Sequence, residues 1–422
     1  MRNARHLPFG LTLALVLLLS GCGLYCTTET YTYIDFEPIY LSEDEILKLE
    51  TLGPQPLRNP GKLYLHGDYL LINEVDEGVH IIDNGDPTNP TFLSFVSIPG
   101  NKDILVKEGA DGPVLYADNY MHLLSLDLSN PLDVPLIKRV ENVFQSFYPE
   151  GNAKGEILVG YKEVERTGRS RECPSWSWGA QPDSSPPPAT PVPDTGSPSQ
   201  GGSLARFASL DNFLYTIDGS SVQTFNVAEP ANPQVFNRVN VDFGIETLFP
   251  YTGGESAQLY IGGQNGMYIY DAADPANLKR QGAISHIQSC DPVVVQGDLA
   301  YVTLQGSCFN QQNRLEIIDV SDPTAPSVLT EYALQEPFGL GVDGDYLFIC
   351  DGVAGLKVYG NARDPDGLTL LKQFGEVRAR DIIPYNDHAI VIAENGFYQY
   401  DYSALPEGDI QLLSSIPVED EP

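Results

Sequence analysis

Carboxylates and a few arginines recur along this sequence beside short apolar runs. Three kinds of chemistry fit such a set. The carboxylates can accept hydrogen bonds from turns at strand ends, they can supply oxygen ligands to Ca²⁺ or bind another polar ligand, or a pair of them can act as acid and base with Arg206 as an electrophilic partner. The candidate residues are Asp103, Asp118, Arg206, Asp218, Glu246, Asp291, Asp351, Arg380, Asp381 and Glu394.

No compact catalytic motif accompanies these residues. The sequence contains no GxSxG, no HExxH, no P-loop and no EF-hand loop with its closing glutamate. The three interpretations therefore stay open, with an enzyme the least supported of them.

Three cysteines recur close to the same predicted strand ends. We expect Cys290 and Cys308 to form a disulfide that closes a hairpin, since an exported chain can oxidise its thiols. Cys350 is a conceivable nucleophile, but the neighbouring carboxylate of Asp351 would raise its pKa and oppose that role. No CxxC pair is present, so a structural zinc site has little support.

A repeated phrase indicates which elements position the charged residues. The apolar run before Asp83 is followed by DNGDPTNP, and the same ending recurs at 229–233 and 322–326. Each copy closes a passage of about 40 residues, which is the period of a propeller blade. Asp and Asn favour turns, and proline lacks the backbone N–H that a strand donates to its neighbour. The phrase therefore ends a third strand and leads into an outer fourth strand.

This template predicts a single all-β propeller of four-stranded blades. Complete units lie at 61–100, 101–142, 203–241, 242–283, 284–332, 333–375 and 376–416. The stretch 143–202 is irregular. If it is counted as a degraded blade, the propeller has eight blades, and if it is not counted, the propeller has seven. We favour eight, because the units on both sides of it look complete. In such a ring the starts of first strands and the ends of second strands share one face, so the candidate residues should meet at one mouth of the channel.

Within the irregular stretch, residues 172–202 are dominated by Pro, Ser and Gly. Such a composition cannot bury a core, so we expect a disordered insertion within a propeller domain that spans 57–418.

The repeat units resemble a known family. Gly78-Val79-His80-Ile81-Ile82-Asp83 and Leu315-Glu316-Ile317-Ile318-Asp319-Val320 are similar to the LVIVD repeat of bacterial exported β-propellers. The resemblance extends over roughly residues 57–403 apart from the insertion. It implies the fold strongly, but it implies little about activity, since propellers host many unrelated functions.

The N-terminus indicates the compartment. Arg2 and Arg5 precede an apolar stretch, which ends in Leu19-Ser20-Gly21-Cys22 and resembles the lipobox of a bacterial lipoprotein. We therefore expect a signal peptide over 1–21, acylation of Cys22, and a tether over 22–56. The expected location is the bacterial cell envelope, at the outer membrane.

The charge excludes some partners. Asp and Glu outnumber Lys and Arg by 57 to 24, which gives a formal net charge of −33. A nucleic-acid partner is excluded because phosphate binding needs clustered basic residues, and an anionic membrane surface is disfavoured for the same reason.

The expected function is that of a membrane-anchored binding module for a ligand, an envelope protein or a polysaccharide. The alternative is a hydrolase or lyase that acts on a polymer with a carboxylate and arginine site at the mouth. Aromatic side chains lining the mouth would favour a sugar polymer, whereas an apolar patch on the rim would favour a protein partner.

Overall fold

The computed structural model describes residues 27–144, 155–172, 203–204, 206–254, 256–285, 289–290, 292–306 and 313–419. The chain divides into two compact units. The first comprises Met1–Tyr40 and Leu158–Thr190, and the second comprises Leu41–Ile157 and Pro191–Pro422. The predicted signal peptide, Cys22 and most of the predicted insertion lie outside the described residues.

The first unit contains a two-stranded sheet. Its strands are β1 (Thr27–Leu41) and β11 (Ile157–Glu172), which pair with each other. Arg166 in β11 forms ion pairs with two carboxylates of β1, at 2.5 Å from Asp35 and also with Glu37. The strand candidate at 156–164 therefore pairs with the N-terminal segment and does not build a blade.

The second unit is a propeller whose blades follow one another along the chain. Blade 1 is formed by β3 (Pro60–His66), β4 (Tyr69–Glu74), β5 (Gly78–Asp83) and β6 (Thr91–Ser97). Blade 2 is formed by β7 (Ile104–Gly109), β8 (Gly112–Asn119), β9 (His122–Asp127) and β10 (Leu136–Val140). Blade 3 is formed by β12 (Phe207–Leu210), β13 (Phe213–Ile217), β14 (Ser221–Asn226) and β15 (Gln234–Asn240). Blade 4 is formed by β16 (Ile245–Tyr251), β17 (Gln258–Gly263), β18 (Gly266–Asp271) and β19 (Lys279–Ser285).

The remaining blades repeat the pattern. Blade 5 has a first strand in two pieces, β20 (Ser289–Cys290) and β21 (Val293–Gln296), followed by β22 (Leu299–Gly306), β23 (Arg314–Asp319) and β24 (Ser327–Ala333). Blade 6 is formed by β25 (Leu340–Asp343), β26 (Tyr346–Cys350), β27 (Leu356–Gly360) and β28 (Thr369–Phe374). Blade 7 is formed by β29 (Ala379–Tyr385), β30 (His388–Ala393), β31 (Gly396–Asp401) and β32 (Gln411–Pro417).

An N-terminal arm joins blade 1. Helix α1 (Glu43–Ile46) begins after Ser42, whose side chain and that of Glu45 form a capping box. The short strand β2 (Glu50–Leu52) then pairs with the outer strand β6 and makes blade 1 five-stranded. Part of the predicted tether is therefore a strand of the propeller. Among the described residues, no helix has the length and apolar character that crossing a membrane requires.

The first strands close a ring. They contact one another in the order β3, β7, β12, β16, β21, β25 and β29, and β29 contacts β3 again. Successive blades bury apolar side chains against each other; one core, for example, joins Leu71 and Val79 of blade 1 to Leu105 and Leu115 of blade 2. This burial removes the apolar faces that a single blade could not cover alone.

The all-β propeller that the sequence predicts is confirmed, but the favoured count of eight blades is not. The described residues hold eight sheets, of which seven are blades and one is the β1–β11 pair. Blades 2 and 3 touch directly: Asp103 accepts a hydrogen bond from the Phe207 N–H at 2.8 Å, and the Tyr116 hydroxyl donates to the Pro230 carbonyl at 2.8 Å. No room is left between them for another blade, so the seven-blade alternative describes the ring.

The repeated Asp-Pro phrase forms the turn between third and fourth strands. In blade 1, Asp86 Oδ1 accepts from the Thr88 N–H at 3.0 Å, and in blade 5, Asp322 Oδ1 accepts from the Thr324 N–H at 2.9 Å. The aspartates thus hold their own turns, as the sequence indicated.

Each fourth strand contains a β-bulge. In all seven blades the pairing with the third strand shifts by one residue, so two residues of the fourth strand face one residue of its partner. The residues passed over by the pairing are Leu93, Ile137, Phe236, Gln281, Leu329, Leu371 and Leu413.

Candidate functional site

Two of the predicted carboxylates, Asp118 and Asp351, hold the backbone that enters their own blade, and Glu74, which was not among the candidates, does the same. Glu74, Asp118 and Asp351 each stand at the end of a second strand and accept hydrogen bonds from two consecutive N–H groups, 16 and 15 residues earlier. We call these three residues the entry clamps. Their donors are the N–H groups of Arg58 and Asn59, of Lys102 and Asp103, and of Gln335 and Glu336.

The entry clamps are buried, and each has a further partner. Asp351 Oδ2 accepts from Lys357 Nζ at 2.6 Å, and Glu74 Oε2 lies 2.8 Å from His80 Nε2. Asp118 Oδ1 also accepts from the Asn101 side-chain amide at 2.9 Å. A carboxylate that accepts several bonds inside a protein stabilises the backbone it holds, and most of its acceptor capacity is then in use.

The structure brings three of the predicted residues together. Asp103 Oδ1 accepts from the Ile104 N–H at 2.7 Å, and its Oδ2 accepts from the Arg206 N–H at 2.7 Å. Arg206 Nη1 lies 3.9 Å from Asp118 Oδ2. Asp103, Asp118 and Arg206 therefore form one cluster where blades 2 and 3 meet, and we call it the mouth cluster.

The other predicted residues take partners close to their own strands. Asp218 pairs with Arg238, Glu246 accepts from Gln264 at 2.9 Å, and Asp381 accepts from the Ile382 N–H at 3.0 Å. Glu394 pairs with Arg380 and with Arg378.

Three further predictions cannot be placed. Asp291 and Cys308 lie outside the described residues, and the side chain of Cys290 is not described. The disulfide between Cys290 and Cys308 thus stays a prediction.

No metal centre is apparent in the part of the chain that the structure describes. There, no three His, Cys, Asp or Glu side chains lie close enough together to hold an ion. Ca²⁺, one of the three possibilities that the sequence left open at the mouth, has no such group of ligands among these residues, and Asp291 lies outside them.

The mouth is crossed by the chain itself. The Leu340 N–H, at the start of the first strand of blade 6, donates to Ser203 Oγ at 2.7 Å. Lys62 Nζ, on the first strand of blade 1, donates to the Leu204 carbonyl at 2.7 Å. Since blade 7 separates blades 6 and 1, a segment that reaches both lies across the channel. We call Ser203, Leu204 and Arg206 the strap; sequence reasoning missed it, because its residues carry no motif.

Burial sets the electrostatics of this region. Asp103 and Lys62 are both fully buried. Loss of water around Asp103 raises the pKa of its carboxyl to about 7; the Lys62 ammonium opposes this rise, and the Asp118 carboxylate adds to it. Burial also raises the pKa of Asp118, against the opposing charge of Arg206.

Cys350 is a poor nucleophile in this structure. Its side chain is fully buried, and burial together with the carboxylates of Asp381 and Asp351 raises the pKa of its thiol. The thiolate needed for nucleophilic attack is therefore disfavoured, as the sequence suggested.

A cavity lies on the same face, beside blade 1. Its volume is about 470 Å³, and its walls include Arg58, Glu74, His80, Phe95 and Tyr120. The N-terminal arm supplies part of the wall. Sequence reasoning did not predict this cavity.

The most regular exposed feature lies on the outer rim. The bulged residues Ile137, Phe236 and Leu329 are 42%, 44% and 47% exposed. The residue before each of them is also apolar and exposed, because a bulge turns two successive side chains outward. We call this set the apolar rim, and its members are Leu136, Ile137, Val235, Phe236, Val328, Leu329, Leu370 and Leu371.

The apolar rim has one interruption and an acidic border. Blade 4 carries Arg280 and Gln281 at the equivalent positions. The fourth strands begin directly after the Asp-Pro turns, so the rim borders a row of exposed carboxylates at the end of the blades opposite the mouth. The exposed carboxylates of blades 2, 5 and 6 are Asp133, Asp322, Asp364 and Asp366, and Asp127 and Asp319 beside them are half-buried.

Comparison with known proteins agrees with this architecture. The model of the LVIVD repeat matches residues 59–97 and 289–333, which correspond to blade 1 and blade 5. No curated protein matches the sequence.

Solved structures share the fold at low sequence identity. A protein from Lactobacillus plantarum is 12% identical with a TM-score of 0.53, and the match covers 87% of this chain and 98% of that chain. A 6-phosphogluconolactonase candidate from Bacteroides uniformis is 11% identical with a TM-score of 0.55 and coverages of 87% and 98%. BamB from Moraxella catarrhalis is 8% identical with a TM-score of 0.50 and coverages of 89% and 99%.

The fold and the repeats together define the class of protein. It is an all-β propeller. More particularly, this chain is a β-propeller that carries LVIVD repeats.

Proposed function

We propose that this chain is a lipid-anchored β-propeller of the bacterial cell envelope that binds another protein through its apolar rim. The observation that carries the proposal is the recurrence of two adjacent exposed apolar residues on the outer strands of blades 2, 3, 5 and 6. Single exposed apolar residues are ordinary on protein surfaces, whereas exposed apolar patches mark interaction sites. The adjacent pairs are more than single residues, and they occupy the same position in four blades. Among the expected partners, an envelope protein fits this surface better than a polysaccharide.

The charge around the rim specifies the partner further. Exposed carboxylates border the apolar pairs, and the whole chain carries a formal net charge of −33. Complementary charge steers association and excludes partners of like charge. The partner therefore presents apolar side chains surrounded by lysine and arginine.

Anchoring rests on the sequence around Cys22. Leu19-Ser20-Gly21-Cys22 follows an apolar stretch, and acyl chains on that cysteine would tether the propeller without a spanning helix. If so, Cys22→Ser should move the protein from the membrane fraction to the soluble fraction. Equal membrane association of the variant and the parent, with no acyl chain found by mass spectrometry, would refute the anchor.

The binding proposal is tested by placing a charge on the rim. Ile137→Glu and Leu329→Glu change exposed side chains, so the propeller should stay folded while the detergent-extracted native complex loses its partner. Gln281→Glu is the matched control, because it occupies the same bulge position in blade 4 but starts from a polar residue. If the mass of the native complex is the same for both rim variants and for the parent, the rim is not the binding surface.

The alternative activity, a hydrolase or lyase at the mouth, would depend on the mouth cluster. Asp103, Asp118 and Arg206 are close together, but Asp103 is fully buried and the strap lies over the mouth beside it. A polymer would reach these groups only after the strap had moved, so the rim supports binding more directly than the mouth supports catalysis.

A further inference from the structure

The cavity beside blade 1 is enclosed by separate parts of the chain. Leu52 ends the short strand of the N-terminal arm, and Pro56 follows it. Phe95 and Ser97 come from β6, and Tyr120 lies in the turn between β8 and β9 of blade 2. The volume of about 470 Å³ lies within the range of small-molecule sites, which is about 300–1,000 Å³. The cavity is therefore large enough for a small organic ligand.

One buried polar side chain of the wall has an unused hydrogen-bonding atom. His80 lines the cavity and is fully buried. Its Nε2 lies 2.8 Å from Glu74 Oε2, and its ring packs against those of Phe92 and Phe95, with centroids 5.5 Å and 4.8 Å away. Its Nδ1 has no hydrogen-bond partner in the part of the chain that the structure describes. A buried polar atom without a partner is costly, so this atom indicates where a polar group of a ligand would bind.

The contact with Glu74 sets the role of this Nδ1 atom. A carboxylate only accepts hydrogen bonds, so we assign the proton of the His80 ring to Nε2. A doubly protonated ring would bury a second, charged N–H without an acceptor, which costs more than an unused lone pair. In the neutral ring Nδ1 is an acceptor. The ligand group that meets it must therefore be a donor.

We propose that this cavity binds a small organic amine with an apolar body. Three carboxylates of the wall, those of Glu74, Asp76 and Glu77, outnumber its one guanidinium, that of Arg58. The only cation paired with Asp76 among the printed ion pairs is Lys102, whose Nζ lies 3.9 Å from Oδ1. An ammonium group supplies both the donor and the charge that this wall favours, and aromatic faces attract it as well. The proposal is independent of the apolar rim, whose residues do not line this cavity.

Tryptamine and indole-3-propionate test the charge that the cavity selects. The probes share an indole ring and differ mainly in the charged group at the end of a short chain. A ligand-observed NMR titration of the folded protein should show saturable binding of tryptamine and binding of the acid that is weaker by about tenfold or more. Binding of neither probe, equal binding of both, or tighter binding of the acid would overturn the proposal.

Two variants separate the cavity from the acidic surface of the rest of the chain. Asp76→Asn removes an exposed carboxylate of the wall, and asparagine tolerates the left-handed backbone of this position, where φ is 65°. It should weaken tryptamine binding by about threefold or more. Ser97→Phe fills the cavity while every charge stays in place, and it should abolish the binding. If Ser97→Phe does not fold, Asp76→Asn alone decides.

The matched control is Asp387→Asn. Asp387 is also an exposed aspartate with a positive φ, 61°, but it lies in a hairpin of blade 7 and does not line the cavity. Its replacement should leave tryptamine binding unchanged. If Asp76→Asn binds tryptamine as the parent does, or if Asp387→Asn weakens binding equally, the amine does not bind in this cavity.

Discussion

At the scale of single residues, the carboxylates near the mouth act mainly on the backbone of their own blades. The entry clamps Glu74, Asp118 and Asp351 each bind two N–H groups of the segment that leads into the first strand. Turn and strand-end chemistry was one of the three interpretations that the sequence left open, and it describes these three side chains.

Asp351 offers the sharpest test of an entry clamp. Asp351→Ala would leave the N–H groups of Gln335 and Glu336 and the largely buried ammonium of Lys357 without their acceptor. Removing one partner of a buried ion pair costs about 3–5 kcal/mol, so we expect a clear loss of unfolding free energy in a denaturant titration.

The matched control for that variant is Asp322→Ala. Asp322 holds only an exposed turn, through the N–H and the hydroxyl of Thr324. Its replacement should change the unfolding free energy little. Equal effects of the two substitutions would show that the entry clamp has no special structural role.

Cys350 provides a second residue-scale prediction. Because its thiol is fully buried and its pKa is raised, native protein should resist alkylation by iodoacetamide at neutral pH. Mass spectrometry of the peptide containing Cys350 should show modification only after denaturation. Rapid modification of the native protein would mean that the thiol is accessible and reactive.

The sequence predicted where several of these residues lie, but not what they bind. The positions of these residues could be predicted because strand ends can be recognised from apolar runs and turns. The roles of Glu74 and Asp118 were not, because their partners are backbone N–H groups that have no signature in the sequence. The strap was missed for the same reason: Ser203 and Leu204 act through one hydroxyl and one carbonyl.

At the scale of elements, the strands and their turns followed the sequence closely. The units at 203–241 and 376–416 each contain the four strands expected of them, and the Asp-Pro phrase forms the turn between third and fourth strands. The count of blades was wrong because the 156–164 segment has the composition of a strand. This segment pairs with β1, which is far away in the sequence, so the local pattern of residues cannot reveal the pairing.

Direct contact between blades 2 and 3 predicts that the intervening insertion is dispensable for the fold. Deleting Ser175–Ser199, which lies outside the described residues, should leave the melting temperature close to that of the parent, because β7 already contacts β12. Circular dichroism during heating measures this. A melting temperature lower by many degrees would indicate that the deleted segment stabilises the ring.

The bulges connect the elements to the surface. An ordinary fourth strand would turn alternate residues inward, whereas the bulge leaves two neighbours facing outward. Bulges also protect the outer edges of blades from pairing with strands of other chains. The exposed pairs of the apolar rim, for example Val328-Leu329, were visible in the sequence, but simple alternation gave no reason to single them out.

At the scale of the whole molecule, the ring separates two surfaces. The mouth carries the cluster of Asp103, Asp118 and Arg206 and is crossed by the strap, whereas the opposite end carries the acidic turns and the apolar rim. A binding role for the rim therefore depends on side chains away from the channel.

The most direct test of this account is photocrosslinking from the rim in intact cells. A photoreactive amino acid at position 137 or 329 should give one adduct of defined mass with a basic envelope protein, and the same amino acid at position 281 should not. The adduct formed from position 137 should disappear when Leu329→Glu is added to the same chain. Equal adducts from all three positions, or none from positions 137 and 329, would contradict the proposal that the apolar rim binds a protein partner.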